Sequence, residues 1–278
     1  MSHSSDDPKR RLTVRDFLEM KSRGEPLAVL TCYDVLFARI LEAEGVDLIL
    51  VGDSLGQVVL GYDSTVPVTL EEMIHHGRAV VRGAPHTFVV LDLPFLTYQV
   101  STEEAIRNAG RALKEAGVQA VKVEGGSPDI CEAIQRMVQA GIPVMGHVGL
   151  TPQSVHSLGG YRVQGRGEEE ASRLMEEAVA LQEAGCFSLV LELVPGDLAG
   201  EVSRHLRIPT IGIGAGVECD GQVLVLPDAL GMNPDFQPRF LKQFAQLDQE
   251  ARRGVRQFLR EVRESTFPGE EHTFGEGK

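Results

Sequence analysis

Five apolar runs in this chain each deliver a side chain that can do chemistry. They read LILVGD, ending in Asp53; FVVLD, ending in Asp92; VKVE, carrying Lys122 and Glu124; VMGH, ending in His147; and LVLE, ending in Glu192. Runs of this length and β-branched content are what strands buried on both faces look like. A charge at the end of such a strand is costly unless that end opens into a site. Two aspartates and a glutamate with no soft ligand nearby form a hard oxygen donor set. That suits Mg2+, which accepts few carboxylates and keeps positions for water or substrate oxygens. Lys122 and Glu124 are two apart on one strand and share a face. They are either a structural ion pair, or an anchor for a substrate carboxylate beside a support for the metal. Glu192 follows a purely apolar run, surroundings that raise a carboxyl towards the range of a general base. Each also has an ordinary alternative. Asp53, before Ser54, Leu55 and Gly56, can cap the turn that follows; Glu192 can pair with a nearby Arg or Lys; and His147 can simply be hydrogen-bonded in place.

The elements that must position these residues announce themselves by a repeated phrase. A polar helix end, then Gly, then an apolar run recurs as EAEGVDLILV, KEAGVQAVKV, VQAGIPVMG and QEAGCFSLVL. Glycine takes the left-handed position that stops a helix, and the next residues enter a strand. Repeated helix-stop-strand units imply a parallel sheet. Strands are expected at Leu27–Thr31, Leu48–Gly52, Phe88–Asp92, Ala120–Glu124, Pro143–His147, Ser188–Glu192, Thr210–Gly214 and Gln222–Leu226. Thr69 with Glu72, and Ser101 with Glu104, make capping boxes before two of the intervening helices. Eight strands with helical crossovers close most simply as a (β/α)8 TIM barrel, with its active site at the C-terminal ends of the strands. The last connection, AGVECDG, is too short for a full helix.

An N-terminal helix capped by Thr13 and Asp16 lies outside the repeat. So does a C-terminal helical extension, where Phe240, Phe244, Leu247, Ala251, Val255, Phe258 and Val262 step by three or four in one apolar stripe. That stripe packs either on its own barrel or on a neighbouring subunit. The expected organisation is a flexible tail over 1–11, a single barrel domain with its C-terminal helices over 12–266, and a loosely ordered tail over 267–278.

The chain has 278 residues, 42% of them hydrophobic, enough for one large core. Its net charge of -13 argues against nucleic acid or an anionic membrane as partner. No apolar stretch reaches the roughly 18 residues of a membrane span, and MSHSSDDPKRR lacks the apolar core of a secretory signal. Cys32, Cys131, Cys186 and Cys219 form no CxxC pair, so reduced thiols in the cytoplasm are expected. The run GIGAG at the seventh strand sits where many barrels bind phosphate, but glycines there also permit close packing. His75 and His76 are adjacent on a helix, point apart, and read as surface or packing residues.

The stretches VGDSLGQVVLGYDSTVPVTLEEMIHHGRAVVRG, VVLDLPFLTYQ, AVKVEGG, PVMGHVGLTPQSVHSLGGYRVQGR, LVLELVP and IPTIGIGAGVECDGQVLVLPDALGM closely resemble the ketopantoate hydroxymethyltransferase family. The resemblance is ordered, nearly gap-free and runs from about Leu12 to Phe274. It implies a barrel of the phosphoenolpyruvate/pyruvate type. It also implies hydroxymethyl transfer from 5,10-methylenetetrahydrofolate to 3-methyl-2-oxobutanoate, giving 2-dehydropantoate on the route to pantothenate. By position in the matching motifs it implies Asp53 and Asp92 as Mg2+ ligands and Glu124 as a third acid at the metal. Ser54 and Lys122, with Asp53 and Asp92, would contact substrate; Glu192 would accept the proton; Tyr33 and His147 would line the site. A homo-oligomer, specifically a homodecamer, is implied too. Cys32 in TCYD stands where a small residue such as Ala is expected. Two other readings stay open on the residues: a Mg2+-dependent 2-oxo-acid lyase or mutase of the same barrel group, and a catalytically silent ligand-binding barrel.

Overall fold

The computed structural model describes residues 10–160 and 162–275. The tail expected over 1–11 therefore falls outside the described residues for 1–9, and the C-terminal one does so for 276–278. Residues up to Val225 form one compact unit and residues from Leu226 a second.

In the first unit, eight parallel strands pair in sequence order and close into a barrel. They are β1 (Leu27–Thr31), β2 (Leu48–Val51), β3 (Phe88–Asp92), β4 (Ala120–Lys122), β5 (Val144–Gly149), β6 (Ser188–Glu192), β7 (Thr210–Ile213) and β8 (Gly221–Leu224). Each lies within a residue or two of its expected place. Around and between them run α1 (Val14–Arg23), α2 (Val35–Glu44), α3 (Leu55–Val58), α4 (Leu70–Gly83), α5 (Thr102–Arg111), α6 (Pro128–Gln139), α7 (Val155–Leu158), α8 (Glu168–Glu183) and α9 (Gly196–His205). Gly45, Gly117, Gly141 and Gly185, the glycines of the repeated phrase, all have left-handed φ between 78 and 102°. Thr69 and Glu72 form the expected capping box on α4, and the Ser101 hydroxyl accepts the Glu104 N–H at the start of α5.

Alternate residues of each strand point into the barrel and fill it. Leu27 and Val29, Leu48 and Leu50, Phe88 and Val90, Ala120, Met145, Val190, Ile211 and Val223 form one buried cluster. α1 joins this cluster from the end where the strands begin. Its Phe17 meets the Phe88 ring edge-on with centroids 5.0 Å apart and stacks on Phe187 at 6.0 Å. The short connection between β7 and β8 carries no helix, and a polar tie takes that role. The Asp220 carboxylate accepts the Thr210 N–H at 2.8 Å and Lys21 of α1 at 2.7 Å.

The second unit holds α10 (Leu226–Ala229) and α11 (Leu247–Arg263). The expected stripe is only partly helical. The N–H groups of Phe244 and Leu247 are bonded to the carbonyls of Ala229 and Leu230, so Phe240 and Phe244 precede the helix instead of sitting on it. α11 buries none of its residues, and Val255, Phe258 and Val262 are exposed. Among the described residues no helix is long and apolar enough to cross a membrane.

Phe17→Ala should cost about 3–5 kcal/mol of unfolding free energy by removing a buried aromatic. Activity per folded molecule should hold, because α1 closes the end away from the charged strand tips. Urea denaturation paired with steady-state rates checks both.

Candidate active site

The inward column of each strand continues, two residues at a time, from core into chemistry. Phe88 and Val90 lead to Asp92; Ala120 leads to Lys122 and on to Glu124; Met145 leads to His147; Val190 leads to Glu192. The pleat that packs the barrel thus aims four strands' polar ends at one mouth. Asp53 arrives differently. The next inward position of β2 is Gly52, where a Cβ would meet Ser54 Oγ at 2.8 Å and Asp92 Oδ2 at 3.5 Å. The missing side chain leaves room for a turn that brings Asp53 in, and its N–H donates to Asp92 Oδ2 at 3.1 Å.

Asp53, Asp92, Lys122, Glu124 and His147 are all buried. Lys122 Nζ donates to Asp92 Oδ1 and lies 3.8 Å from Glu124 Oε1. His147 bridges two acids, with Nδ1 3.4 Å from Glu124 Oε1 and Nε2 3.3 Å from Glu192 Oε2. Neither ring nitrogen makes an aligned hydrogen bond, so these are charge contacts. Ser54 Oγ and the Tyr33 hydroxyl are bonded at 2.8 Å. All eight site residues expected from the sequence therefore belong to β-strand tips or the turns after them.

Charge decides the character of the cluster. Burial, then the charges on Asp92 and Glu124, pushes the Asp53 carboxyl well above the usual carboxylate range. Burial also raises Asp92, outweighing its contact with Lys122. Burial would raise Glu124 as well, but His147 and then Lys122 hold it below the ordinary value. Burial and Lys122 would lower His147, yet Glu124 and Glu192 reverse this and raise it to about 9. Its imidazolium is the form that the two acids favour. Three buried carboxylates thus face Lys122 and His147, and Asp53 is the one left short of a cation. A divalent ion fits that deficit. Among the described residues, no group of three or more His, Cys, Asp or Glu side chains is placed to hold a metal by itself. Asp53, Asp92 and Glu124 do not make a three-carboxylate cage, since Glu124 is engaged by His147 and by the N–H of Gln153 at 3.0 Å. One or two carboxylates with water or substrate oxygens is the ordinary Mg2+ arrangement.

Glu192 differs from its expected apolar setting. Its carboxylate faces His147, and its side chain is 18% exposed. Its backbone is held from both sides. The Glu192 carbonyl accepts the Leu150 N–H at 2.8 Å, and Gly149, at φ 95°, lies so close that a Cβ would meet that carbonyl at 2.3 Å. Leu193 takes a left-handed φ of 48° directly after it, a strained state that non-glycine residues hold only where their surroundings enforce it.

Two buried polar residues that the sequence reading passed over enter the same cluster, Tyr98 and Gln153. Both are uncharged and lie beyond the strand ends, Gln153 on a short 3-10 turn, without the contrast that marks a charge at the end of an apolar run. The available signal was position: each sits six residues beyond a strand-tip polar residue, Asp92 or His147. His76 is a packing residue, its Nδ1 2.6 Å from the Tyr33 carbonyl, and His75 is exposed. In GIGAG, a Cβ on Gly216 would meet Gly196 Cα at 3.0 Å, so close backbone packing accounts for a glycine there.

A profile of the family described as ketopantoate hydroxymethyltransferase matches residues 11–270. The chain belongs to the ketopantoate hydroxymethyltransferase family. Relatives include the 3-methyl-2-oxobutanoate hydroxymethyltransferase of Syntrophotalea carbinolica, 53% identical over 96% of this chain and 99% of the relative. The protein of that description from Leptospira interrogans is 55% identical over 93% and 97%. Among solved structures, 2,3-dimethylmalate lyase aligns with TM-score 0.58 at 18% identity, over 95% of this chain and 92% of that one. A phosphoenolpyruvate phosphomutase from Streptomyces platensis aligns with TM-score 0.61 at 14% identity, over 95% and 92%. At such identities the likeness to lyases and mutases is one of fold. As a member of the hydroxymethyltransferase family the chain is a transferase enzyme, which sets aside the silent ligand-binding barrel.

Lys122→Met should leave the buried carboxylates facing His147 alone. Removing one partner from a buried charge cluster should cost roughly 3–5 kcal/mol in urea denaturation of the metal-free protein. A loss below about 1 kcal/mol, the scale of exposed pairs, would contradict the charge balance described.

Proposed function

We propose that the chain catalyses hydroxymethyl transfer from 5,10-methylenetetrahydrofolate to 3-methyl-2-oxobutanoate, giving 2-dehydropantoate for pantothenate synthesis. The names of the relatives support the oxo acid. The observation that carries the residue roles is a solvent-reachable Glu192 joined through His147 to a buried cluster in which carboxylates outnumber cations.

Asp53 and Asp92 would hold Mg2+, with Glu124 beside them; the ion would supply Lewis-acid polarisation of the oxo acid's oxygens. Lys122 has ammonium N–H groups beyond the one it gives Asp92, and presents them to the substrate carboxylate. Ser54, tied to Tyr33, offers a hydroxyl at the same mouth. Glu192 takes the proton from C3 of the oxo acid, and the C–H electron pair passes into an enolate. His147 keeps Glu192 oriented with a positive charge 3.3 Å away. C3 bonds to the methylene carbon as its first C–N bond breaks. Water then replaces the second folate nitrogen to leave the hydroxyl. Tetrahydrofolate departs with the proton taken by Glu192 on one nitrogen and a proton of that water on the other. The exposed stripe of α11 supports the expected homo-oligomer, and four free cysteines fit the expected reduced, cytoplasmic setting.

Glu192→Gln should keep oxo-acid and Mg2+ binding while deuterium exchange at C3 falls by about 10²–10⁴, the usual worth of a positioned base. Exchange that persists at the parent rate removes Glu192 from this role. Asp53→Asn and Asp92→Asn should each weaken Mg2+ binding at least about tenfold, or 1.4 kcal/mol. Calorimetry on the metal-free protein reads this directly, and unchanged affinity in both variants would refute the metal site.

A further inference from the structure

We infer that Gln153 is a positioning residue for the metal-binding carboxylate Asp53, with its amide oriented by the Leu93 carbonyl and the Tyr98 hydroxyl. This rests on the reading of Asp53 as a Mg2+ ligand.

Gln153 lies on a single 3-10 turn, Pro152–Ser154, that follows β5. Its side chain is buried and reaches across the mouth to the turn after β2. Nε2 donates to Asp53 Oδ2 at 2.9 Å and to the Leu93 carbonyl at 3.0 Å. Both amide hydrogens are thereby used, each on an acceptor. Oε1 accepts from the Tyr98 hydroxyl at 2.8 Å and from Gln99 Nε2 at 3.2 Å. Tyr98 is itself fixed, because its oxygen accepts the Glu124 N–H at 3.0 Å. The phenol's one hydrogen has two acceptors in reach, Gln153 Oε1 at 2.8 Å and the Glu124 carbonyl at 3.3 Å, and Gln153 is the nearer. Turning the amide over would set Oε1 against the Leu93 carbonyl and an Asp53 carboxylate oxygen. One orientation therefore satisfies every partner.

The backbone adds a second grip. The Gln153 N–H donates to Glu124 Oε2 at 3.0 Å. One residue thus holds two of the three buried acids, from one short turn, without adding charge. That neutrality matters. Lys122 and His147 already offset part of the negative charge, and a third cation here would cancel the deficit at Asp53 that a divalent ion needs. An amide fixes the direction of the Asp53 oxygens and leaves the charge in place. Hydrogen-bond partners of metal ligands commonly act in this way.

The test is Gln153→Leu, close in size, with Mg2+ titrated calorimetrically into the metal-free protein and C3 exchange followed against Mg2+ concentration. The Mg2+ dissociation constant should rise about 10–100-fold, and the maximal exchange rate at saturating Mg2+ should fall by a smaller factor. Asp53→Asn/Gln153→Leu should bind Mg2+ no more weakly than Asp53→Asn, since the amide acts through Asp53. A lower melting temperature with unchanged Mg2+ affinity means structure alone and overturns the proposal. If Asp53→Asn weakens Mg2+ binding and Gln153→Leu does not, only the positioning role is lost. If Asp53→Asn itself changes nothing, the metal reading falls and this proposal with it. Should Gln153→Leu fail to fold, Tyr98→Phe keeps the ring and removes one of the two groups that orient the amide. It should weaken Mg2+ binding in the same direction, and an unchanged affinity again overturns the proposal.

Discussion

Burying more carboxylates than cations at the end of a barrel is the constraint on which this structure turns. Each unpaired charge removed from water costs several kcal/mol, so Asp53, Asp92 and Glu124, which repel one another, are each also met by a donor or a cation. Lys122 sits against Asp92, His147 spans Glu124 and Glu192, and Gln153 reaches Asp53 from another loop. The remaining deficit lies at Asp53. A fold that evolved only for stability would fill this place with Leu or Val. The imbalance is what the proposed metal and anionic substrate would answer.

The rest of the barrel exists to hold that imbalance steady. The inward columns are apolar for most of their length and turn polar only at the tips. Phe17 and its aromatic partners fill the far end. The polar tie between Lys21, Asp220 and Thr210 closes the strand pair that has no helix across it. Glu192 is held differently, by its backbone, pressed against Gly149 and followed by Leu193 in a strained conformation. The proposed base is thus held by its main chain as well as by His147.

Much of this was legible in the sequence because burial and chemistry share one period. An apolar run ending in Asp, Glu or His states both where a strand lies and which end opens. The helix-stopping glycines gave the crossovers by the same logic. Tyr98 and Gln153 were not legible, since their importance comes from partners distant in sequence: Gln153 and Asp53 are 100 residues apart. The start of α11 was misjudged for a related reason. Phe240 and Phe244 have helical spacing, but backbone bonds from Phe244 and Leu247 to Ala229 and Leu230 override it. The apolar setting expected for Glu192 missed His147, which the strand pairing of β5 with β6 brings alongside.

The two-residue rhythm that joins core to mouth also limits how this protein can change through descent. Deleting one codon within β4 would turn Val121 and Val123 to the interior and send Lys122 and Glu124 outward among the helices. Core and chemistry would fail in the same event. On this geometry a change of length within a strand costs more than a change of residue, and the connecting segments are where insertions and deletions should be borne.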